Sequence, residues 1–329
     1  MSIQRAILIL LCIVIAACDQ QGDSSKIKRT FTVGVLSGLD IFNPSIRGFQ
    51  DRLTELGYQE GIDIKYEIQR ANGSAAAMQR IADEFVEKNV DLIFTSTNGA
   101  ALAAKSATVK SKIPVVFTIV MGPVESGVVD SLARPTGNIT GVRNPLGEFI
   151  GKRLGILKQI SPEVESVLVL NDPDYPTYPI AIRGLRNAAR ELHINLIEVP
   201  VKSLQDINQY LLNRSDPDFD AVIIMPDTTV QSPASLGVIF DFAKNKKLPI
   251  LANTPSQADS GALFSYLSDS YNTGREAARL ANEVLANRPA NTQPVTSSEP
   301  RLILNLRAAR ELGLDVSDGL VSLAHRIIE

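Results

Sequence analysis

The chain has 329 residues, 44% of them apolar and 21% charged, with a formal net charge of −3. That length allows two lobes of ordinary domain size, and the balance is that of a globular protein rather than a disordered one. A slightly acidic chain offers no basic field to a phosphate backbone, which argues against nucleic acid as a partner.

Residues 6–17 form an unbroken apolar run behind Arg5, and the run ends at Ala16-Ala17-Cys18 with Asp19 next. About a dozen residues fall short of the ~20 needed to cross a hydrocarbon core. A positive front, a short apolar centre and small residues before a cut site instead describe a secretory signal peptide over 1–17. Ile15-Ala16-Ala17-Cys18 resembles a bacterial lipobox, which implies acylation of Cys18 and a lipid bilayer as partner. Each buried methylene contributes about 0.8 kcal/mol, so several acyl chains on one residue hold firmly. Asp19 resembles an inner-membrane retention signal. Residues 18–30 are polar without an apolar period and read as a flexible tether. With Cys12 removed and Cys18 lipidated, the mature body has no thiol for a disulfide, a metal or a nucleophile.

From residue 31 the chain alternates short β-branched runs with helical patterns, the mark of βαβ units and parallel sheets. Strands are expected at 31–36, 62–69, 92–95 and 115–119, with helices at 45–56, 75–89 (capped by Ser74) and 99–109. After a crossing segment, strands at 166–170 and 195–199 alternate with helices at 180–192 and 204–212, the latter capped by Ser203. "FDAVIIMPDTT" at 219–229 then matches "VDLIFTSTN" at 90–98, and "KLPILANT" at 247–254 matches "KIPVVFTI" at 112–119. The second half is built like the first, so an α/β protein of two Rossmann-like lobes with parallel sheets around a cleft is expected. Residues 135–141, with Gly137 and Gly141, read as the segment joining the halves, either a hinge or a plain surface loop.

In open α/β sheets ligands sit at the carboxyl ends of the strands. Here those ends carry Ser37, Thr95 to Asn98, Tyr175, Asp227, Thr228, Asn253 and Tyr266. Thr95-Ser96-Thr97-Asn98-Gly99 closes a strand and opens a helix; hydroxyls and free N–H groups there suit an anion such as a carboxylate, or simply cap the helix. Asp227-Thr228-Thr229 occupies the matching place in the second half, where a carboxylate at a helix start serves the helix dipole or binds a ligand ammonium. Phe42, Tyr175, Tyr178 and Tyr266 are the aromatics nearest the expected cleft, able to stack on a planar ligand.

The stretches "VGVLSG", "GFQDRLTELGYQEGIDIKYE", "VDLIFTSTNGAALAAK", "IPVVF", "GNITGV", "GKRLGILKQISPEV", "GREAARLANEVL" and "LNLRAARELGL" together resemble the solute-binding lipoproteins of ABC transporters related to tryptophan- and tyrosine-binding proteins. The resemblance implies a type I periplasmic-binding-protein fold that closes on a small molecule and hands it to a membrane permease with its ATPase, working as a monomer on the outer face of the cytoplasmic membrane or in the periplasm. On that fold, lobe I spans 31–140 completed by 268–298, and lobe II spans 141–267 completed by 299–329. Two positions depart from the family: Gly122-Pro123 where relatives carry an acidic residue before the proline, and Tyr266-Leu267 in place of a Tyr-Gly pair.

A ligand-sensing protein that signals to a membrane receptor would use the same two-lobed body. An enzyme on this scaffold lacks motif support: there is no metal-ligand spacing, no nucleophile elbow and no dinucleotide fingerprint, so neither cofactor nor metal is expected. Gly147 to Lys152 resembles a phosphate loop but is one residue short and is followed by Arg153, so it reads as a helix start. His193 is expected at a helix end, and His325 in the terminal helix.

Overall fold

The computed structural model describes residues 29–214 and 217–329. The segments expected as signal peptide and tether, with Cys18, lie outside the described residues except for residues 29 and 30. In chain order the first elements are β1 (Phe31–Ser37), α1 (Asn43–Glu55), β2 (Ile64–Arg70), α2 (Ala75–Glu87), β3 (Leu92–Ser96), α3 (Asn98–Ala107), β4 (Val115–Val120) and β5 (Ile139–Arg143). Then come α4 (Leu146–Ile160), β6 (Ser166–Asn171), α5 (Tyr178–Glu191), β7 (Asn195–Pro200), α6 (Leu204–Leu212), β8 (Ala221–Ile224), α7 (Pro233–Lys246), β9 (Ile250–Ala252), α8 (Pro255–Asp259) and β10 (Phe264–Leu267). The chain closes with α9 (Ser270–Leu285), β11 (Thr296–Ser297), β12 (Arg301–Asn305), α10 (Leu306–Leu312), α11 (Asp318–Leu323) and β13 (Arg326–Ile328).

These strands make two sheets. The first has 6 strands in the order β11-β5-β4-β3-β1-β2 and the second 7 in the order β13-β12-β10-β9-β8-β6-β7. Every pairing is parallel except β10 with β12, which is antiparallel. Central strands such as Leu92–Ser96 and Val115–Val120 are buried along their whole length, as a parallel sheet covered on both faces requires. Helices α2 and α3 cover one face of the first sheet and α1 and α9 the other. On the second sheet α4, α5, α10 and α11 lie on one face, and α6 and α7 on the other.

The internal match seen in the sequence has a structural basis. Asp91 Oδ2 accepts the backbone N–H of Thr32 at 2.7 Å, and Asp220 Oδ2 accepts that of Ser166 at 2.8 Å. Each aspartate therefore pins the strand it follows in space, β1 or β6, to the one it opens. The Pro114 and Pro249 carbonyls likewise accept from Ile93 and Val222 at 2.9 and 3.0 Å. Lys112 and Lys247 both turn the chain into those segments with left-handed φ of +58° and +54°.

The chain passes between the sheets three times, through 144–145 after β5, 268–269 after β10 and 298–300 after β11. Residues 135–141, read above as the joining segment, instead lead from β4 into β5 of one sheet. Gly141 is needed there for close packing: a Cβ would lie 2.2 Å from the Phe117 carbonyl oxygen. His325 is likewise not helical but stands between α11 and β13, where its Nδ1 accepts the Leu302 N–H at 3.3 Å.

Both sheets are braced by helix pairs in close contact through glycine. A Cβ on Gly274 of α9 would lie 1.9 Å from the Ser45 carbonyl oxygen of α1, and one on Gly184 of α5 would lie 2.1 Å from the Gly147 carbonyl oxygen of α4. Gly155, also on α4, would meet nothing within 4 Å. Gly274→Ala should therefore lower stability by about 1–3 kcal/mol through overpacking, while Gly155→Ala should raise it by about 0.5–1 kcal/mol through better helix propensity. Urea denaturation of the two variants checks both signs.

Candidate functional site

The chain leaves the first sheet from the C-terminal end of β5 and the second from the C-terminal end of β10. The crossings thus hold the two C-terminal edges toward each other. Met121, directly after β4, packs against the apolar cluster of the second sheet.

The first-sheet edge is strained and rich in donors. Thr97, between β3 and α3, has φ +88° and ψ 156°, a region that is almost exclusively glycine's and costs about 1–3 kcal/mol. Ile119 near the end of β4 has φ +56°, an outlier for a β-branched residue, where the register between β4 and β5 shifts. The hydroxyls of Thr95, Thr97 and Thr118 are buried without a partner among the described residues. Gly38 allows β1 to pass close to this point, since a Cβ would meet Thr97 Oγ1 at 2.2 Å. Helix α3 also opens without a side-chain cap. By contrast, Ser74, Ser203, Ser232 and Asp269 cap α2, α6, α7 and α9. Free N–H groups, the positive end of a helix dipole and unpaired hydroxyls suit a negatively charged or carbonyl-bearing group.

The other residues expected on this edge are engaged with the protein. Asn98 Nδ2 donates to the Met121 carbonyl at 2.7 Å and its Oδ1 accepts the Met121 N–H at 3.0 Å, so both ends of the amide fasten β4 to α3. Ser37 Oγ donates to Asn43 Oδ1 at 2.9 Å, and Ser96 Oγ accepts from the Gly38 N–H at 3.3 Å.

On the second-sheet edge, Asp227 was expected at a helix start, but α7 begins only at Pro233 with Ser232 as its cap, so Asp227 sits in the loop after β8. Its Oδ1 accepts the Val230 N–H at 2.8 Å and its Oδ2 that of Asp172 at 3.3 Å, which joins the loops after β8 and β6. Burial pushes its pKa above the ordinary carboxylate range, against the pull of those N–H groups. Tyr175 is close by: burial raises its phenol pKa and the Asp227 charge adds to the effect. Thr228 is exposed, and Thr229 Oγ1 reaches Asp172 Oδ2 at 3.3 Å. Farther along the edge the Tyr266 ring stands edge-on to Phe149, centroids 5.8 Å apart.

Arg153 completes this edge, and its place was not expected from the sequence. It is fully buried, and it donates to the Tyr266 carbonyl (Nε, 3.1 Å), the Ile224 carbonyl (Nη1, 3.4 Å) and Asn253 Oδ1 (Nη2, 3.0 Å). The guanidinium therefore spans the ends of β8, β9 and β10. Among the described residues no carboxylate pairs with it, and burial pulls its pKa down to about 9. The available signal was periodicity: Leu146, Phe149, Ile150, Leu154, Leu157 and Ile160 mark the buried stripe of α4, and Arg153 falls on it. Thr118 and Thr177, whose hydroxyls are also buried and unpaired, were likewise not singled out.

Two mostly parallel sheets with opposed C-terminal edges, three crossings and unpaired polar groups at the strand ends define a two-lobed binding protein of the type I periplasmic class. The chain belongs to the family of ABC transporter substrate binding proteins, whose model matches residues 36–328. It is 28% identical over 291 residues to a tyrosine-binding protein of Clostridioides difficile (strain R20291), covering 88% of this chain and 82% of that one. Among solved structures, it is similar to a ligand-free, open substrate-binding protein with adhesive properties from Clostridium difficile, with TM-score 0.77, 21% identity and coverage of 91% and 99%. A domain from Streptococcus pneumonia in complex with L-Trp gives TM-score 0.70, 21% identity and coverage of 91% and 100%. Those two likenesses establish the fold. The family is one of binding proteins, not enzymes.

Strain at Thr97 has a direct test. Thr97→Gly and Thr97→Ala remove the same hydroxyl, but only glycine adopts that backbone at little cost. The glycine variant should be the more stable by about 1 kcal/mol, the strain relieved less glycine's larger chain entropy. Equal denaturation midpoints would show that Thr97 is unstrained.

Proposed function

We propose that this protein is an exported, lipid-anchored solute-binding protein that captures a small polar ligand of the amino-acid class, with an aromatic side chain, and delivers it to a membrane permease driven by an ATPase. The observation that carries this reading is the strained Thr97, whose hydroxyl lies buried and unpaired beside an uncapped helix start. Strain of this kind persists where the surroundings over-determine it, and it clusters at ligand clamps. Thr95, Ser96 and Thr97 with the start of α3 receive the anionic end. Ser37 stands with them on the first-sheet edge. On the second-sheet edge Asp227 takes the cationic end beside Thr228, and Asn253 lines the same edge one strand away. Tyr175 and Tyr266 face the remainder of the ligand. Asn98 serves by holding Met121 in place. The matched tyrosine-binding protein and the L-Trp complex support this class of ligand.

The two lobes, one on each sheet, close about residues 144–145, 268–269 and 298–300. Closure follows because a ligand favours whichever state offers it more contacts. Mass spectrometry of small molecules released from protein purified without added ligand should yield an amino acid or a close relative. Saturation with that molecule should reduce the radius of gyration in solution scattering. Release of a sugar or a nucleoside alone would overturn the ligand class, and an unchanged scattering profile with ligand bound would overturn hinge closure.

Anchoring rests on the apolar run, Ala16, Ala17 and Cys18. Wild-type cells fed labelled palmitate should label this protein, and Cys18→Ser should leave an unlabelled, uncleaved precursor. Equal labelling of both would overturn the anchor.

A further inference from the structure

We propose that Arg153 is a positioning residue that turns the Asn253 amide outward as the donor for a ligand carboxylate, one strand away from Asp227 and its ammonium partner. This rests on the amino-acid reading above and adds that the second-sheet edge recognises both ends of a zwitterion.

The orientation of the Asn253 amide follows from its neighbours. A guanidinium has only donors, so the atom facing Arg153 Nη2 at 3.0 Å must be Oδ1. Nδ2 then points the other way. It has no acceptor among the described residues, and it is not among the fully buried unpaired atoms, so the 5% exposure of Asn253 includes it. The backbone N–H of Asn253 is held separately by Gln257 Oε1 at 2.8 Å, which fixes the residue at the strand end. The amide therefore presents a rigid N–H donor at the C-terminal edge.

Electrostatics along the edge point the same way. Strands β8 and β9 are neighbours, about 4.8 Å apart as paired strands are. The loops after β8 and β6 carry Asp227 and Asp172, whereas the end of β9 is backed by the Arg153 charge, buried without a carboxylate partner. A buried cation of this kind is costly unless a negative group approaches it. The edge is thus negative at one strand end and positive at the next, the pattern that the ammonium and carboxylate of an α-amino acid, carried on a single carbon, would match. On closure, the free N–H groups at the start of α3 can share the same carboxylate from the other side.

Asn253→Asp and Asn253→Leu, with L-tyrosine and L-tyrosinamide as probes, test this by calorimetry and thermal melting. In Asn253→Asp the new carboxylate pairs with Arg153 and faces the cleft with negative charge. The ligand-free variant should melt at or above wild type, and Asn253→Leu, which strips an acceptor from the guanidinium, should melt below it. L-Tyrosine binding to Asn253→Asp should weaken by roughly tenfold or more, while L-tyrosinamide, which lacks the carboxylate charge, should lose far less. Unchanged L-tyrosine affinity, or equal loss for both probes, overturns the proposal. If wild type binds neither probe, the amino-acid reading fails by itself, and the melting temperatures decide the role of Arg153: Asn253→Asp melting as low as Asn253→Leu overturns it, and melting at or above wild type upholds the uncompensated charge.

Discussion

Parallel strands joined by helices gather all their carboxyl ends on one edge, and everything that distinguishes this molecule depends on that constraint. In each sheet the edge collects backbone carbonyls, loop N–H groups and the starts of the following helices. Because the chain changes sheet at β5 and at β10, the two edges are brought to the same side of the crossings. On the first of these edges the hydroxyls of Thr95, Thr97 and Thr118 have no partner among the described residues, while the opposite ends of β1 and β6 are tied down by Asp91 and Asp220.

The surrounding architecture makes the strain bearable. Fully buried Phe49 of α1 stacks on Phe94 of β3 with centroids 4.1 Å apart, and α1 is itself clamped to α9 through Gly48 and Gly274. The same device recurs between α4 and α5 through Gly147, Gly151 and Gly184. Helices held this closely cannot shift to relax Thr97 or Ile119, so the cost of those conformations is met by packing elsewhere.

Much of this was legible in the residues. The Asp-led apolar runs at 90–98 and 219–229 gave β3 and β8, because a strand buried on both faces has little freedom in composition. Ser74 and Ser203 marked the starts of α2 and α6, since a capping hydroxyl leaves a local signature. The resemblance between the halves also misled, because it placed Asp227 at a helix start by analogy with Thr97. The second copy has a longer loop before α7, and loop length is not constrained by the strand pattern. The glycines of 135–141 were read for their freedom, whereas Gly141 is required by contact with Phe117, a neighbour that only the fold supplies. Arg153 belongs to the same kind: a helical stripe shows that it turns inward, but its three acceptors come from strands far along the chain.

The return of the chain at β11 and β12 has a consequence for how the molecule is made. The first sheet receives α9 and β11 only after the second sheet has been laid down through β10, and the second sheet receives β12 and β13 only after the first is complete. During synthesis neither half can be finished while the other waits, and the apolar face of the first sheet that α9 covers stays open until residues 270–285 emerge. The order of the chain thereby couples the maturation of both halves to its final segment, and a ribosome that stalls before β11 releases two incomplete cores instead of one finished lobe.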